Sequence, residues 1–182
     1  LTPKSKLVIH NILCNDTRIY FLKILKKANA NIKINNLKKI SGELVGSITI
    51  SSSKLKPIVI SKDIGKFIDE LPILFIIAAL TKGTSKFKNI GDLKNKESNR
   101  LLESKKILVQ AGIKCKITKD AMTIYGKNEI EKQNRTILVK AKGDHRICMS
   151  SAILALVTGI RTKINNFETV NTSFPGFISL MK

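Results

Sequence analysis

Hydrophobic positions along this chain fall into two rhythms. "TRIYFLKILKKAN" (17–29) and "SNRLLESKKILVQAG" (98–112) place apolar residues three and four apart with lysines between, the spacing of half-buried helices. "GELVGSITIS" (42–51), "PIVIS" (57–61), "AMTIYG" (121–126) and "RTILVKA" (135–141) are short runs rich in β-branched residues, and they predict strands. Two stretches fit neither face-by-face pattern. "DELPILFIIAALTKG" (69–83) and "DHRICMSSAILALVTG" (144–159) are apolar nearly all round, which predicts helices buried in the middle of a layered domain. Each opens on an aspartate suited to N-capping and closes on glycine, the usual helix stop, while Pro72 suits a first turn. The longest apolar run, "LPILFIIAAL", is ten residues, too short to span a bilayer as a helix.

These elements repeat. "KLVIHNI" (6–12), "TSKFKNI" (84–90) and "RTKINNF" (161–167) are strand-like runs ending in Asn-Ile or Asn-Phe, each leading into a polar loop and then a helix. The two buried helices lead into the second and third of these runs. From Asn11 to Ile32 is 21 positions and from Asn89 to Ile113 is 24, so the second copy has gained three residues in the loop "GDLKNKES". An insertion in an otherwise repeated scaffold is what a binding loop looks like. "GKNEIEKQNR" (126–135) reads as a polar excursion between strands. No Pro/Ser-rich stretch marks a linker, so residues 1–182 are expected to form one domain of interleaved strands and helices, an α/β architecture.

The formal charge of +20 brings in two kinds of partner: nucleic acid, or small phosphorylated substrates drawn to a basic cleft. Lysines are scattered along a chain also rich in Ile and Asn, aromatics are 5% and Trp is absent. That pattern suits a compositional origin of the charge better than a stacking RNA surface. Cys14, Cys115 and Cys148 are odd in number and far apart, and His10 and His145 are the only histidines. Neither a zinc site nor a disulfide frame is expected, and reduced cytoplasmic thiols are. The chain starts at Leu1 without a basic leader, so no signal peptide is expected, and the first residue is read as lying inside a longer protein.

Three charged points stand at helix starts, where unpaired N–H groups favour anions: Asp69-Glu70, Lys96-Glu97-Ser98 and Asp144-His145-Arg146. Lys96 and Arg100 are four apart and Glu97 and Arg100 three apart, which on a helix puts two cations and one acid on nearly the same face. Such a set suits a site that holds phosphate or carboxylate and keeps an acid for proton transfer. The same residues also suit an exposed helix start laced with ion pairs, with Asp69 and Asp144 as plain caps and His145 as an ordinary polar residue. Spacing alone does not choose.

In sequence, "DELPILFIIAALTKGTSKFKNIGDLKNKESNR", "GDHRICMSSAILALVTG" and "NTSFPGF" (171–177) resemble the EPSP synthase (3-phosphoshikimate 1-carboxyvinyltransferase) family over almost the whole chain. The related UDP-N-acetylglucosamine enolpyruvyl transferases lack the "KES" helix start. The resemblance implies repeated β-α-β-α-β-β units with sheets surrounding buried helices, an inside-out α/β barrel, and makes residues 1–182 the C-terminal domain of a two-domain enzyme, without its N-terminal domain. It implies enolpyruvyl transfer from phosphoenolpyruvate to the 5-hydroxyl of 3-phosphoshikimate, in the cytoplasm, by a monomer when full length, with no metal or organic cofactor. Carried over by position, Asp69 is the base and Glu97 the acid. Lys96 contacts 3-phosphoshikimate, Arg100 and Arg146 clamp phosphoenolpyruvate, and His145 supports them. Lys94, Asn95, Asn99 and Thr172 depart from the usual pattern and leave those six intact. The alternative is a basic RNA-binding module akin to the RNA 3′-phosphate cyclases, which share related repeats.

Overall fold

A computed structural model describes residues 1–130 and 136–181. The chain runs β1 (Lys6–Leu13), α1 (Tyr20–Lys27), β2 (Asn31–Ile40), β3 (Glu43–Ser51), β4 (Val59–Ile60), α2 (Leu71–Ala79), β5 (Gly83–Phe87), α3 (Arg100–Gln110), β6 (Lys114–Ile117), β7 (Met122–Gly126), β8 (Ile137–Lys140), α4 (His145–Thr158) and β9 (Thr162–Asn165). Short 3-10 turns lie between, among them Ile68–Glu70, Gly91–Asn95 and Phe167–Thr172. The second half of the expected polar excursion over 126–135, and the first residue of the strand expected over 135–141, lie outside the described residues.

Among the described residues, three sheets form around the helices. β1, β3 and β2 make one antiparallel sheet; β4, β5, β7 and β6 make a second; β8 and β9 make a third. β4 runs parallel to β5 and β8 parallel to β9, each pair joined through a helix, as a parallel connection demands. The two crossovers share one register: Val59 faces Lys86 and Ile60 faces Phe87 in the first, Leu138 faces Lys163 and Val139 faces Ile164 in the second. The repeated asparagines have a backbone cause. Asn11, Asn89 and Asn166 all adopt left-handed conformations, with φ of 55°, 59° and 56°. Asparagine tolerates this conformation far better than a β-branched residue; Asn89 and Asn166 follow the ends of β5 and β9, whereas Asn11 sits inside β1 at a shift of its register with β3.

The core sits on α2. Leu71, Leu74, Phe75, Ala78 and Ala79 are completely buried, and Phe75 meets Phe87 of β5 edge-on with ring centroids 4.9 Å apart. Burying each large side chain contributes about 1.5–3 kcal/mol, which explains why a helix with no polar face is stable here. α3 and α4 both pack on α2. β7 crosses its end so closely that a Cβ on Gly126 would lie 2.1 Å from the carbonyl oxygens of Ala78 and Thr81. A smaller cluster of Cys14, Ile19, Leu22, Ile32 and Ile48 joins α1 to the first sheet. Beside it an apolar groove of about 550 Å³ runs between α1 and that sheet, away from the charged helix starts.

The helix ends follow the expectation only in part. α4 stops at Gly159, whose φ is 67° and whose N–H donates to Ala155 O. α2 instead stops at Ala79, before any glycine, and Gly83 opens β5 with a φ of 120°. Asp144 caps α4 by accepting from the amides of Arg146 and Ile147. Asp69 does not cap α2, which is entered through the 3-10 turn Ile68–Glu70 with no side-chain cap.

Candidate active site

The N-terminal ends of α2, α3 and α4 meet, and Arg100 is where they join. It is the first residue of α3, and its side chain is 0% exposed. Each guanidinium nitrogen meets a different carboxylate. Nε donates to Asp144 Oδ2 at 2.8 Å, Nη1 to Asp69 Oδ1 at 2.8 Å, and Nη2 to Glu97 Oε2 at 2.5 Å. Lys96 Nζ lies 3.3 Å from Asp69 Oδ1. Arg146, from the first turn of α4, donates through Nη1 to the Asp69 carbonyl oxygen at 2.8 Å and to Glu70 Oε1 at 3.3 Å. Its Nη2 is 3.9 Å from Asp69 Oδ2. Ser98 Oγ donates to Asp144 Oδ2 at 2.9 Å.

Five of the six expected residues therefore belong to one network: Asp69, Lys96, Glu97, Arg100 and Arg146. His145 stands next to them as the first residue of α4, half-buried, and its ring takes no part in that network. The expected helix face is not how they meet. Lys96 is extended, with φ −86° and ψ −171°, and α3 begins only at Arg100. The turn ahead of α3, rather than an i,i+4 face, delivers Lys96 and Glu97. Asn99 holds that turn as N-cap, accepting from Leu102 N at 3.0 Å, so an uncharged amide does the capping there. Sequence reading named Glu70, Ser98 and Asp144 at the charged helix starts but left them out of the six site residues. The adjacency of "DE" and "DHR" to buried helices was the available signal.

Charge in this cluster is set by opposing effects. Burial alone would raise the Asp69 carboxyl; the hydrogen bond from Lys96 and the charges of Arg146, Lys96 and Arg100 outweigh it and hold it below the ordinary value. Burial also works against ionisation of Asp144, but Arg100, Ser98 and the Ile147 amide keep it low. For Arg100 burial pulls down, while Asp144, Glu97 and Asp69 together push its value up. Asp69 is thus an ionised acceptor at neutral pH, lined with cations that suit anionic ligands. Among the described residues no group of three or more His, Cys, Asp or Glu is arranged to hold a metal ion; the carboxylates converge on Arg100 instead. No described helix is long and apolar enough to cross a membrane.

Buried helices wrapped by sheets, with charged residues gathered at their N-terminal ends, define an enolpyruvyl transferase type of fold: the enolpyruvyl transferase NikO from Streptomyces tendae superposes with a TM-score of 0.65 at 13% identity, over 96% of this chain and 37% of that one. EPSP synthase from Acinetobacter baumannii matches more closely, with a TM-score of 0.85 and 32% identity over 98% of this chain and 41% of that one. The family model for EPSP synthase (3-phosphoshikimate 1-carboxyvinyltransferase) matches residues 1–181, and the chain belongs to that family. The 3-phosphoshikimate 1-carboxyvinyltransferase of Helicobacter pylori is 38% identical, covering 100% of this chain and 43% of that protein. Its counterpart in Bacillus pumilus is 36% identical, covering 97% of this chain and 41% of that protein. The chain thus spans about two fifths of the length of the relatives it matches.

Proposed function

We propose that this chain forms one wall of a site that transfers the enolpyruvyl group of phosphoenolpyruvate to the 5-hydroxyl of 3-phosphoshikimate, releasing phosphate. The observation that carries the reading is the convergence of Asp69 and Glu97 on one buried arginine, in a chain belonging to the EPSP synthase family. Asp69, ionised and half-exposed, takes the hydroxyl proton as the oxygen attacks C2 of phosphoenolpyruvate. Glu97 delivers a proton to the methylene carbon, giving a tetrahedral intermediate. Loss of a methyl proton and of phosphate then restores the double bond. Arg100 and Arg146 hold the carboxylate and phosphate of phosphoenolpyruvate, Lys96 contacts 3-phosphoshikimate, and His145 supports the arginines. Fixed cations of this kind supply orientation and charge stabilisation.

Residues 1–182 act as one domain, and the opposite wall comes from the part of the relatives that this chain does not cover. The full-length protein works as a monomer in the cytoplasm, where free thiols such as those of Cys14, Cys115 and Cys148 persist. The test is phosphate release from phosphoenolpyruvate and 3-phosphoshikimate, by this chain alone and after mixing with a separately expressed complementary domain. Turnover is expected in the mixture, and Glu97→Gln or Asp69→Asn is expected to lower it by at least about a hundredfold. Full turnover in either variant overturns the assignment.

A further inference from the structure

Arg100 has two kinds of partner. On one edge, Nε meets Asp144, and both side chains are 0% exposed. On the other edge, Nη1 and Nη2 meet Asp69 and Glu97, whose side chains are 41% and 52% exposed. A dissolved anion can take the place of a half-exposed carboxylate, because the displaced group returns to water. It cannot take the place of Asp144, which has no water to return to. Asp144 is tied down further by Ser98 Oγ and by the amides of Arg146 and Ile147. Through those amides it fixes the first turn of α4, the turn from which Arg146 reaches the Asp69 carbonyl and Glu70.

We infer that Asp144 is a positioning residue that sets Arg100 and Arg146 side by side as one clamp for the carboxylate or phosphate of the substrate. It touches no substrate itself. The inference rests on the functional reading above only for the identity of the anion. A guanidinium is a rigid planar fork, so pinning Nε determines where both Nη groups aim. Lysine at position 100 would have no such second edge. A purely stabilising role explains the arrangement less well, since a buried ion pair is commonly no more stabilising than apolar residues of the same size. What an apolar pair cannot do is leave two oriented N–H edges facing exchangeable partners. Asp144 joins the two arginines on the buried side, Arg100 through its guanidinium and Arg146 through its backbone amide, as Asp69 joins them on the exposed side.

The test uses two substitutions in the intact polypeptide that carries this sequence. Asp144→Asn keeps an acceptor for the helix cap and for Arg100 but removes the charge. Asp144→Ser keeps a capping oxygen and withdraws from Arg100. Binding of phosphoenolpyruvate, and separately of inorganic phosphate, is measured by titration calorimetry, with KM and kcat followed in parallel. Loss of one charge-assisted contact from the clamp is expected to weaken phosphoenolpyruvate binding about 10–100-fold in Asp144→Asn and at least as much in Asp144→Ser, with KM rising in step. Wild-type affinity in either folded variant, or a fall in kcat with KM unchanged, overturns the inference. So does failure of both variants to fold, which would assign Asp144 to stability alone. Variants that lose phosphoenolpyruvate affinity while the wild type binds it but releases no phosphate would support the clamp and sink the reaction.

Discussion

The crossover β4-α2-β5 and the crossover β8-α4-β9 are built alike, with the same strand register, an apolar helix and a left-handed asparagine after the second strand. They differ at the helix head. Asp144 is sealed in and caps α4, whereas the matching Asp69 is 41% exposed and caps nothing. The physical cause lies in the residues around Asp69. A helix start leaves N–H groups without partners, and an aspartate normally supplies one of the missing acceptors. At α2 that demand is lower: Pro72 has no N–H to satisfy, and the Glu70 amide already donates to Phe67 O through the 3-10 turn. Asp69 is thereby released from capping and free to face Lys96, Arg100 and Arg146. One position of a repeat caps a helix in one copy and faces a cluster of cations in the other.

Three measurements break or sharpen this contrast. The largest effect is expected from Arg100→Leu, which strands the buried Asp144 carboxylate; unfolding in urea should show a loss of about 3–5 kcal/mol. A loss under about 1 kcal/mol would mean that the buried pair is not what seats Asp144. The second is the acid limb of stability. Asp69 and Asp144 both have folded values below the ordinary 3.8, so the folded state binds fewer protons than the unfolded chain in acid. The stability they contribute is therefore complete well above 3.8 and lost as pH falls through that value toward their folded ones, at up to about 1.4 kcal/mol per pH unit for each proton. Urea titrations between pH 5 and 2 should show a shallower decline for Asp144→Asn than for wild type. An equal slope removes Asp144 from the account. The smallest effect is expected from Asp69→Asn, which gives up a half-exposed ion pair but no cap, a change in stability below about 1 kcal/mol. Should it destabilise as much as Arg100→Leu, the two aspartates would not differ in kind.

Much of this fold was legible in the sequence because it depends on local pattern. The apolar run around Leu74 became a buried helix and that around Leu154 one buried along most of its length, with Leu156 exposed; the repeated asparagines marked strand ends at Asn89 and Asn166 and a break in register at Asn11. β2 was harder. It continues past Ile34 to Ile40 through a polar stretch containing Asn35, Asn36, Lys38 and Lys39, exposed to solvent and held by pairing with β3 across a register shift. No periodicity announces a strand whose polar residues simply face water. At the site, residue types pointed to the right neighbourhood but not to its geometry. The complete burial of Arg100 and the division of labour between Asp69 and Asp144 arise from contacts between residues 31 to 77 positions apart. Such contacts leave no spacing to read.

Cys148 lies one turn into α4 from Asp144, wholly buried, with its sulfur 3.8 Å from the Asn166 carbonyl oxygen. Burial, with Asp144 and Glu168 nearby, pushes its thiol up to about 11. The unreactive thiol form is favoured, and the sulfur is shielded as well. The rate at which Cys148 is alkylated would therefore report local opening of α4 from the turn behind it, beside the cluster around Arg100.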